Sequence, residues 1–217
     1  MRRLALLATV VALGCVKGEG QNDLVNPDRP LWMTHPSGAL ALVFRRPLTV
    51  SGRTPGESYE RGRAAIDPHR GRVFVGSSDR GLYALRADSG SSIWRFENVG
   101  AVQSEPLYDR DLDFVYFGSN DGALYAVRAS DGSLVWRFAS GAEVARSPVL
   151  VGETLYFANA GDTVFGVDRR TGKSVWPSQH RTPALGMEIA GYAGPVVDRG
   201  LVIMAYSDGH VMAYDAR

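Results

Sequence analysis

A block of sequence recurs along the chain at a nearly constant interval, and this recurrence restricts the fold more than any other feature. The run 72–77 (RVFVGS) returns as 114–119 (FVYFGS), and the runs 82–87 and 93–96 return at the same offset as 124–129 and 135–138. A third copy ends at Trp176, nearly as far from Trp136 as Trp136 is from Trp94, and a fourth begins at Gly194. Repeats of this length indicate stacked units, because a single unit cannot bury its own apolar faces.

Each copy contains short runs of Val, Tyr, Phe and Leu separated by Gly, Asp and Ser, the pattern of strands joined by tight turns. Asp121-Gly122 and Asp208-Gly209 predict one of the hairpins, because glycine accepts the positive φ that such turns require. We therefore predict an all-β propeller with about four visible blades, each a four-stranded antiparallel sheet of about 40 residues. An ordinary β-sandwich is the alternative, but it does not predict a fixed period with Trp in phase.

Three copies also share small and aromatic residues at fixed spacing. These are Ala84, Gly90 and Trp94; Ala126, Gly132 and Trp136; and Asp168, Gly172 and Trp176. The spacing resembles the pyrroloquinoline-quinone-like (PQQ-like) repeat, Ala-x-Asp-x-x-x-Gly-x-x-x-Trp, over residues 39–217, although Arg86 and Arg128 replace its Asp and Gly166 replaces its Ala. The resemblance implies that each Trp packs against the neighbouring blade, so these Trp and Gly residues are expected to be structural.

The fourth copy stops before its outer strand, and residues 40–47 are predicted to supply it. Residues 41–46 (ALVFRR) align with 133–138 (SLVWRF), which places Phe44 at the Trp position. Pairing this strand with the last blade would remove an exposed edge. Two interpretations stay open: a complete four-bladed propeller closed by this strand, or a piece of a larger ring, typically of eight blades in the resembling family.

The N-terminus has the pattern of an export signal: Arg2-Arg3, an apolar run at 4–13, and then Gly14-Cys15. The residues before Cys15 resemble a bacterial lipobox, with Ala12 in place of the usual Leu; an ordinary secretion signal is the alternative. We predict a signal peptide at 1–14, a lipidated tether at 15–38 and the propeller at 39–217. Lipid on Cys15, followed by Val16 rather than Asp, predicts a lipid anchor at the periplasmic face of the bacterial outer membrane, with inner-membrane retention left open.

Charge and motifs argue against several other functions. The 24 Lys and Arg balance 23 Asp and Glu, which gives no basic excess for nucleic acid. The alternation of Asp109, Asp111 and Asp113 resembles a calcium loop, but Phe114 stands where the loop needs Gly and the closing Glu is missing. We therefore predict no catalytic residue, no metal and no cofactor.

The connections between repeats differ in length. The step from Trp94 to Pro106 equals the step from Trp136 to Pro148, whereas the step from Trp176 to Pro195 is clearly longer. A longer connection at this place is similar to that of the BamB family, lipoproteins of the machinery that folds β-barrels into the outer membrane, which use it to contact the barrel-insertase subunit. The resemblance implies a non-catalytic scaffold, monomeric within a complex, whose partner-binding residues are Leu185, Met187, Glu188 and Ile189.

Three alternatives accompany this interpretation. The apolar residues of the long connection could simply cap the propeller core, and the Arg of the family's contact loop is missing at 185–188. A quinone-dependent periplasmic dehydrogenase shares the repeat, but the resemblance then implies an adjacent Cys pair and a calcium site, and the chain has a single Cys. A ligand-binding propeller of unknown purpose is the third.

Overall fold

The computed structural model describes residues 43–46, 48, 62–180 and 193–216, which all belong to one compact unit, Val43–Arg217. These residues form four antiparallel sheets, and no helix occurs among them. The predicted all-β propeller built from four-stranded blades is confirmed. Each blade is a meander, so consecutive strands are hydrogen-bonded neighbours.

The strand boundaries follow the repeat. Blade 1 contains β1 (Ala65–Asp67), β2 (Arg72–Gly76), β3 (Gly81–Arg86) and β4 (Ser92–Glu97). Blade 2 contains β5 (Leu107–Asp109), β6 (Phe114–Gly118), β7 (Ala123–Arg128) and β8 (Leu134–Ala139). Blade 3 contains β9 (Val149–Val151), β10 (Thr154–Ala158), β11 (Thr163–Asp168) and β12 (Ser174–His180). Blade 4 contains β13 (Val196–Asp198), β14 (Leu201–Ala205) and β15 (Val211–Asp215).

The apolar core lies between blades rather than within them. One cluster joins Phe74 and Leu82 of blade 1 to Val115 and Phe117 of blade 2, all fully buried. Two further clusters join blade 2 to blade 3 and blade 3 to blade 4. We call these contacts the first, second and third seams. Burial of a large apolar side chain contributes about 1.5–3 kcal/mol, so each blade depends on its neighbour for much of its stability.

The three repeated Trp residues occupy equivalent places at the three seams. Each indole N–H donates to a main-chain carbonyl of the next blade, in the pairs Trp94 to Ala129 (3.0 Å), Trp136 to Arg169 (3.1 Å) and Trp176 to Asp215 (2.9 Å). In blades 1, 2 and 3 the ladder between the third and fourth strands shifts register next to the Trp. Such bulges re-aim a side chain, which here directs the indole out of its own sheet.

The repeated Gly residues make room for these indoles. A Cβ on Gly132 would lie 2.7 Å from the Trp94 ring, and a Cβ on Gly172 would lie 2.6 Å from the Trp136 ring. Both glycines also have positive φ, +75° and +67°. Glycine is therefore required at these positions for two reasons, the positive φ of the backbone and the close approach of the indole.

The predicted hairpin turns are confirmed, because Gly122 and Gly209 both have positive φ. Residues 43–46 of the predicted closing strand are not in a strand, and blade 4 has three strands within the described residues. Completion of the last blade by the N-terminal strand therefore stays a prediction. The Phe44 ring does lie against Gly90, as Trp94 lies against Gly132, so residue 44 occupies the place of a Trp preceding blade 1.

Candidate functional site

The connections between blades all leave from one end of the propeller. The fourth strand of a blade ends there, the first strand of the next begins there, and the hairpins between second and third strands lie beside them. We call this the connection end. The connections from β4 to β5 and from β8 to β9 are equal in length, whereas the connection from β12 to β13 is longer. The longest connection therefore joins blades 3 and 4 at this end.

A polar cluster marks the connection end of blade 2. The Tyr125 hydroxyl donates to the Asp121 carboxylate, and Arg137 Nε donates to the same hydroxyl at 3.0 Å. The Arg137 guanidinium also lies 3.4 Å from the carboxylate and stacks over the phenol ring. Burial and the hydrogen bond to Asp121 raise the pKa of Tyr125, which keeps the hydroxyl protonated as a donor. The cluster ties the β6–β7 hairpin to the end of β8.

Blade 1 repeats this cluster one copy earlier in the chain with Asp79, Tyr83 and Arg95. Here the Tyr83 hydroxyl also lies 3.1 Å from the Leu48 carbonyl, so the cluster holds part of the N-terminal segment. Burial and Asp79 raise the pKa of Tyr83. Neither cluster was predicted from the sequence, although Asp, Tyr and Arg recur at identical spacing in two copies and this recurrence indicates them.

Blade 3 lacks the cluster and carries a strained acid instead. Asp162 has φ +54° at a turn position that glycine occupies in blades 2 and 4. Its Oδ2 accepts hydrogen bonds from the main chain and hydroxyl of Ser207 in blade 4, while its buried Oδ1 has no hydrogen-bond partner among the described residues. A buried unsatisfied polar atom costs about 1–3 kcal/mol, so the connection end of the third seam is less well satisfied than the blade interiors.

The opposite end of the first seam is built around a buried arginine. Arg72 donates through Nε and Nη2 to Asp67 Oδ2, at 2.9 and 2.8 Å, and through Nη2 to Asp113 Oδ1 at 2.6 Å. Its remaining Nη1 donates to the Ala129 carbonyl, and its guanidinium lies over the Tyr108 ring. Burial acts to raise the pKa of Asp67, but the hydrogen bond from Arg72 and two main-chain N–H groups outweigh it, so the pKa lies below its ordinary value.

The opposite end of the second seam also holds a buried arginine, but this residue follows the third strand of its blade, whereas Arg72 begins the second strand of blade 1. Arg169, which directly follows β11, lies 3.1 Å from Asp109, 2.5 Å from Glu153 and 3.5 Å from Asp111. Asp109 also accepts a hydrogen bond from Tyr116, whose pKa is raised by burial and by that carboxylate. The hydrogen bond from Arg169 lowers the pKa of Glu153.

These contacts explain the alternating Asp109, Asp111 and Asp113. Asp113 pairs with Arg70 and Arg72 of blade 1, while Asp109 and Asp111 pair with Arg169 of blade 3. The acids therefore face two different seams and do not converge on one point. Within the described ranges, no group of three or more His, Cys, Asp or Glu side chains is arranged to hold a metal ion.

Several predicted site residues lie outside the described residues. These are Cys15 and the proposed partner contacts Leu185, Met187, Glu188 and Ile189. Their roles stay predictions. The structure does fix the points between which the long connection runs, since His180 ends β12 and Val196 begins β13 at the connection end. The part of the chain that the structure describes contains no helix long and apolar enough to cross a membrane.

The match to a known protein family covers the repeated part of the chain. The family model described as outer membrane protein assembly factor BamB matches residues 31–116 and 111–217. The chain belongs to the BamB family. The blades and seams described above are therefore the family's fold in this chain. No curated protein sequence matches the chain.

Solved structures show the same fold at low identity. BamB from Moraxella catarrhalis superposes with a TM-score of 0.61 at 20% identity, covering 72% of this chain and 50% of that one. The computationally designed Ika4 protein superposes with a TM-score of 0.57 at 14% identity, covering 79% and 99%. The quinohemoprotein alcohol dehydrogenase ADHIIG from Pseudomonas putida HK5 superposes with a TM-score of 0.50 at 21% identity, covering 58% and 21%. The chain thus spans about half the length of the BamB structure it matches.

Proposed function

We propose that this protein is a non-catalytic scaffold of the bacterial envelope that binds a protein partner during the assembly of outer-membrane β-barrel proteins. The observation that carries the proposal is the family match across residues 31–217, for a family described as an outer membrane protein assembly factor. The propeller supports this role, because it offers rigid blades from which connections project. Rigid scaffolds that present loops are a common basis for protein recognition.

The connection between β12 and β13 is the proposed docking element. It is longer than the two equivalent connections, and its sequence carries Leu185, Met187 and Ile189 beside Glu188. An apolar set of this kind in a long connection is typical of an interaction patch. We propose that these four residues contact a β-barrel subunit of the assembly machinery.

Affinity purification tests this proposal. A tagged protein is purified from detergent-solubilised envelopes, and co-purifying proteins are identified by mass spectrometry. The test variant is Leu185→Ala/Met187→Ala. The matched control is Leu134→Ala/Val175→Ala, which removes the same number of apolar side chains from exposed positions on the outer strands β8 and β12.

We expect a large β-barrel protein to co-purify with the wild type and the control, and to be lost with the test variant. Equal recovery with both variants would show that the connection is not the docking element. Failure of any β-barrel protein to co-purify with the wild type would contradict the scaffold role itself.

We further propose that lipid on Cys15 holds the protein at the periplasmic face of the outer membrane. Bacterial lipoproteins resemble multiply acylated proteins, for which membrane attachment is effectively permanent. Replacement of Cys15 by Ala is expected to move the protein from the membrane fraction to the soluble periplasmic fraction. Retention of the Cys15→Ala protein in the membrane fraction would contradict the lipid anchor.

A quinone-dependent dehydrogenase is the second candidate, favoured by the likeness of the fold to that of the quinohemoprotein alcohol dehydrogenase. That likeness supports a shared architecture and no more. Purified protein is incubated with pyrroloquinoline quinone, an alcohol and an artificial electron acceptor dye. Dye reduction that depends on the quinone would favour this candidate over the scaffold, while a propeller that binds some other ligand would show neither dye reduction nor a co-purifying barrel.

A further inference from the structure

The first and second seams hold their buried acids in different ways, and a cavity lies at the first seam. At the second seam the side chain of Arg169 enters from β11 and contacts Asp109 and Asp111. Through the repeat, Arg169 corresponds to Ala129, and Asp109 and Asp111 correspond to Asp67 and His69. The methyl group of Ala129 cannot reach these acids, and at the first seam the guanidinium of Arg72 from β2 contacts Asp67 and Asp113 instead.

A cavity of about 240 Å³ lies beside this ion pair, lined by Asp67, His69, Arg70, Tyr108 and Arg110. Arg72 contacts the lining residue Asp67 and the Ala129 carbonyl through its guanidinium. A water molecule takes up about 30 Å³ in the liquid, so the cavity can admit a small polar group with several waters.

The two carboxylates nearest the cavity are already engaged. Asp67 accepts from Arg72 and from the main-chain N–H of His69, and Asp113 accepts from Arg70, Arg72 and Tyr108. Both carboxylates are therefore paired with arginines of blade 1, and among the described residues neither forms an ion pair with Arg110.

The arginines that line the cavity outnumber its carboxylates. Arg70 and Arg110 line it with one acid, Asp67, while Arg72 and Asp113 pair with lining residues from outside. Arg110 forms no ion pair within residues 43–46, 48, 62–180 and 193–216, although its side chain lines the cavity. The second seam has the reverse balance, since Arg169 and Arg170 face Asp109, Asp111 and Glu153. Positive charge is therefore in excess at the cavity of the first seam, whereas the carboxylates are in excess at the second seam.

We propose that this cavity, between blades 1 and 2 at the end opposite the connections, binds a small oxyanion, a phosphate or a carboxylate. Arg110 is its principal ligand, because its planar fork of donors matches the oxygens of such a group and needs no existing ion pair to break. Arg70 also lines the cavity and can share its charge between Asp113 and the bound anion. The site is independent of the proposed docking element, which leaves the propeller at its other end.

Nuclear magnetic resonance titration of the purified ¹⁵N-labelled protein tests the proposal. Sodium phosphate and sodium acetate are added in separate arms at constant ionic strength, with sodium chloride as the reference salt. We expect saturable shifts of main-chain amides near His69, Arg70 and Arg110 with at least one oxyanion and none with chloride. The arm with the lower dissociation constant identifies the preferred class, phosphate or carboxylate.

Three variants locate the ligand. Arg110→Ala is expected to weaken binding about tenfold, since hydrogen bonds to charged groups contribute enough to produce such a change. Arg110→Lys keeps the charge but lacks the planar fork of donors, so its affinity is expected to lie between those of the wild type and Arg110→Ala. Arg199→Ala is the matched control: Arg199 follows Asp198 at the end of β13 as Arg110 follows Asp109, but its side chain is 90% exposed and does not line the cavity.

Unchanged affinity in Arg110→Ala would overturn the proposal, as would an equal loss in Arg199→Ala. Shifts that grow linearly with salt, or that spread over arginines on all blades, would show non-specific screening and would overturn it too. A thermal unfolding curve for each variant shows that the fold is intact, so a loss of binding cannot be a loss of structure.

Discussion

The first and second seams have the same aromatic contacts but different buried ion pairs. In both, an indole donates to a carbonyl of the next blade and lies against a glycine with positive φ. In both, an acid at the end of a first strand, Asp67 or Asp109, meets a buried arginine. The arginine comes from the same blade as the acid at the first seam and from the next blade at the second. The repeat thus preserves the requirement for a buried cation but not the residue that supplies it.

This difference follows from what each interaction needs. An indole fits against a glycine only when strand, bulge and glycine hold their spacing, so the apolar contacts are bound to the period. A long arginine side chain can reach a buried carboxylate from more than one strand, and either solution satisfies the charge. Buried ion pairs are therefore free to change between repeats while the aromatic contacts are not.

Removal of the buried arginines should have the largest effect. Arg72→Met and Arg169→Met each leave a carboxylate buried without its cation, which costs about 3–5 kcal/mol in the free energy of unfolding. We expect the greater loss for Arg72→Met, because both of its acids are largely shielded from water and two ring contacts disappear, whereas two of the three acids around Arg169, Asp111 and Glu153, are exposed. Urea denaturation followed by intrinsic fluorescence measures both.

A paired replacement controls for the charge. Asp67→Leu/Arg72→Met removes acid and base together, and such replacements are often close to neutral. If the double variant is no more stable than Arg72→Met, the buried charge is not the source of the loss.

Substitution of the glycines that contact the indoles should cause the next largest loss of stability, and the loss should be equal at both seams. Gly132→Ala and Gly172→Ala force a Cβ into the indole and a residue with a side chain into the left-handed region. The backbone term is about 1–2 kcal/mol and overpacking adds about 1–3 kcal/mol, together about 3 kcal/mol. Urea denaturation measures the loss.

Gly141→Ala is the matched control for these variants. Gly141 has φ +86° and its added Cβ would meet no atom within 4 Å, so it should lose only the backbone term. Equal losses in all three variants would show that contact with the indole contributes nothing.

Acid should weaken the first seam through Asp67. Its pKa in the folded protein lies below the ordinary value of 3.8, so its contribution to stability is complete above that value and is lost as the pH falls through the folded pKa. We expect the free energy of unfolding to fall below about pH 4, with at most about 1.4 kcal/mol per pH unit from this group. Asp67→Asn should be less stable at neutral pH but have a shallower acid slope. Equal slopes in the two proteins would assign the acid sensitivity to other carboxylates.

The sequence predicted the features that the period controls. The blades and the positive φ of Gly122 and Gly209 follow from local patterns, and the structure confirms them. The buried arginines could not be predicted in this way, because Arg169 and Asp109 are 60 residues apart in the chain and meet only when blades 2 and 3 pack. Asp113 likewise gains its partners from blade 1, so its role was invisible within its own turn.

The candidate site also combines features that the sequence predicts with features that it does not. The long connection was found from spacing alone, while the contacts proposed for Leu185, Met187, Glu188 and Ile189 stay predictions, since they depend on a partner surface that no property of this sequence encodes. The Asp–Tyr–Arg clusters are predictable only from their recurrence in two consecutive copies of the repeat, because each member alone is an ordinary turn or strand residue.

The smallest expected effect concerns these clusters and compares blade 2 with blade 3. Tyr125→Phe reproduces the residue that blade 3 carries at the same place, Phe165, whose ring stacks on Phe157 as Tyr125 stacks on Phe117. The variant loses the hydroxyl but keeps the Asp121–Arg137 ion pair, so we expect a loss of about 1 kcal/mol in urea denaturation. Tyr83→Phe should lose somewhat more, because its hydroxyl also lies against the Leu48 carbonyl. A loss in Tyr125→Phe as large as that in Arg72→Met would mean that the cluster is a structural centre of blade 2, and the tolerance of blade 3 for phenylalanine would then need another cause.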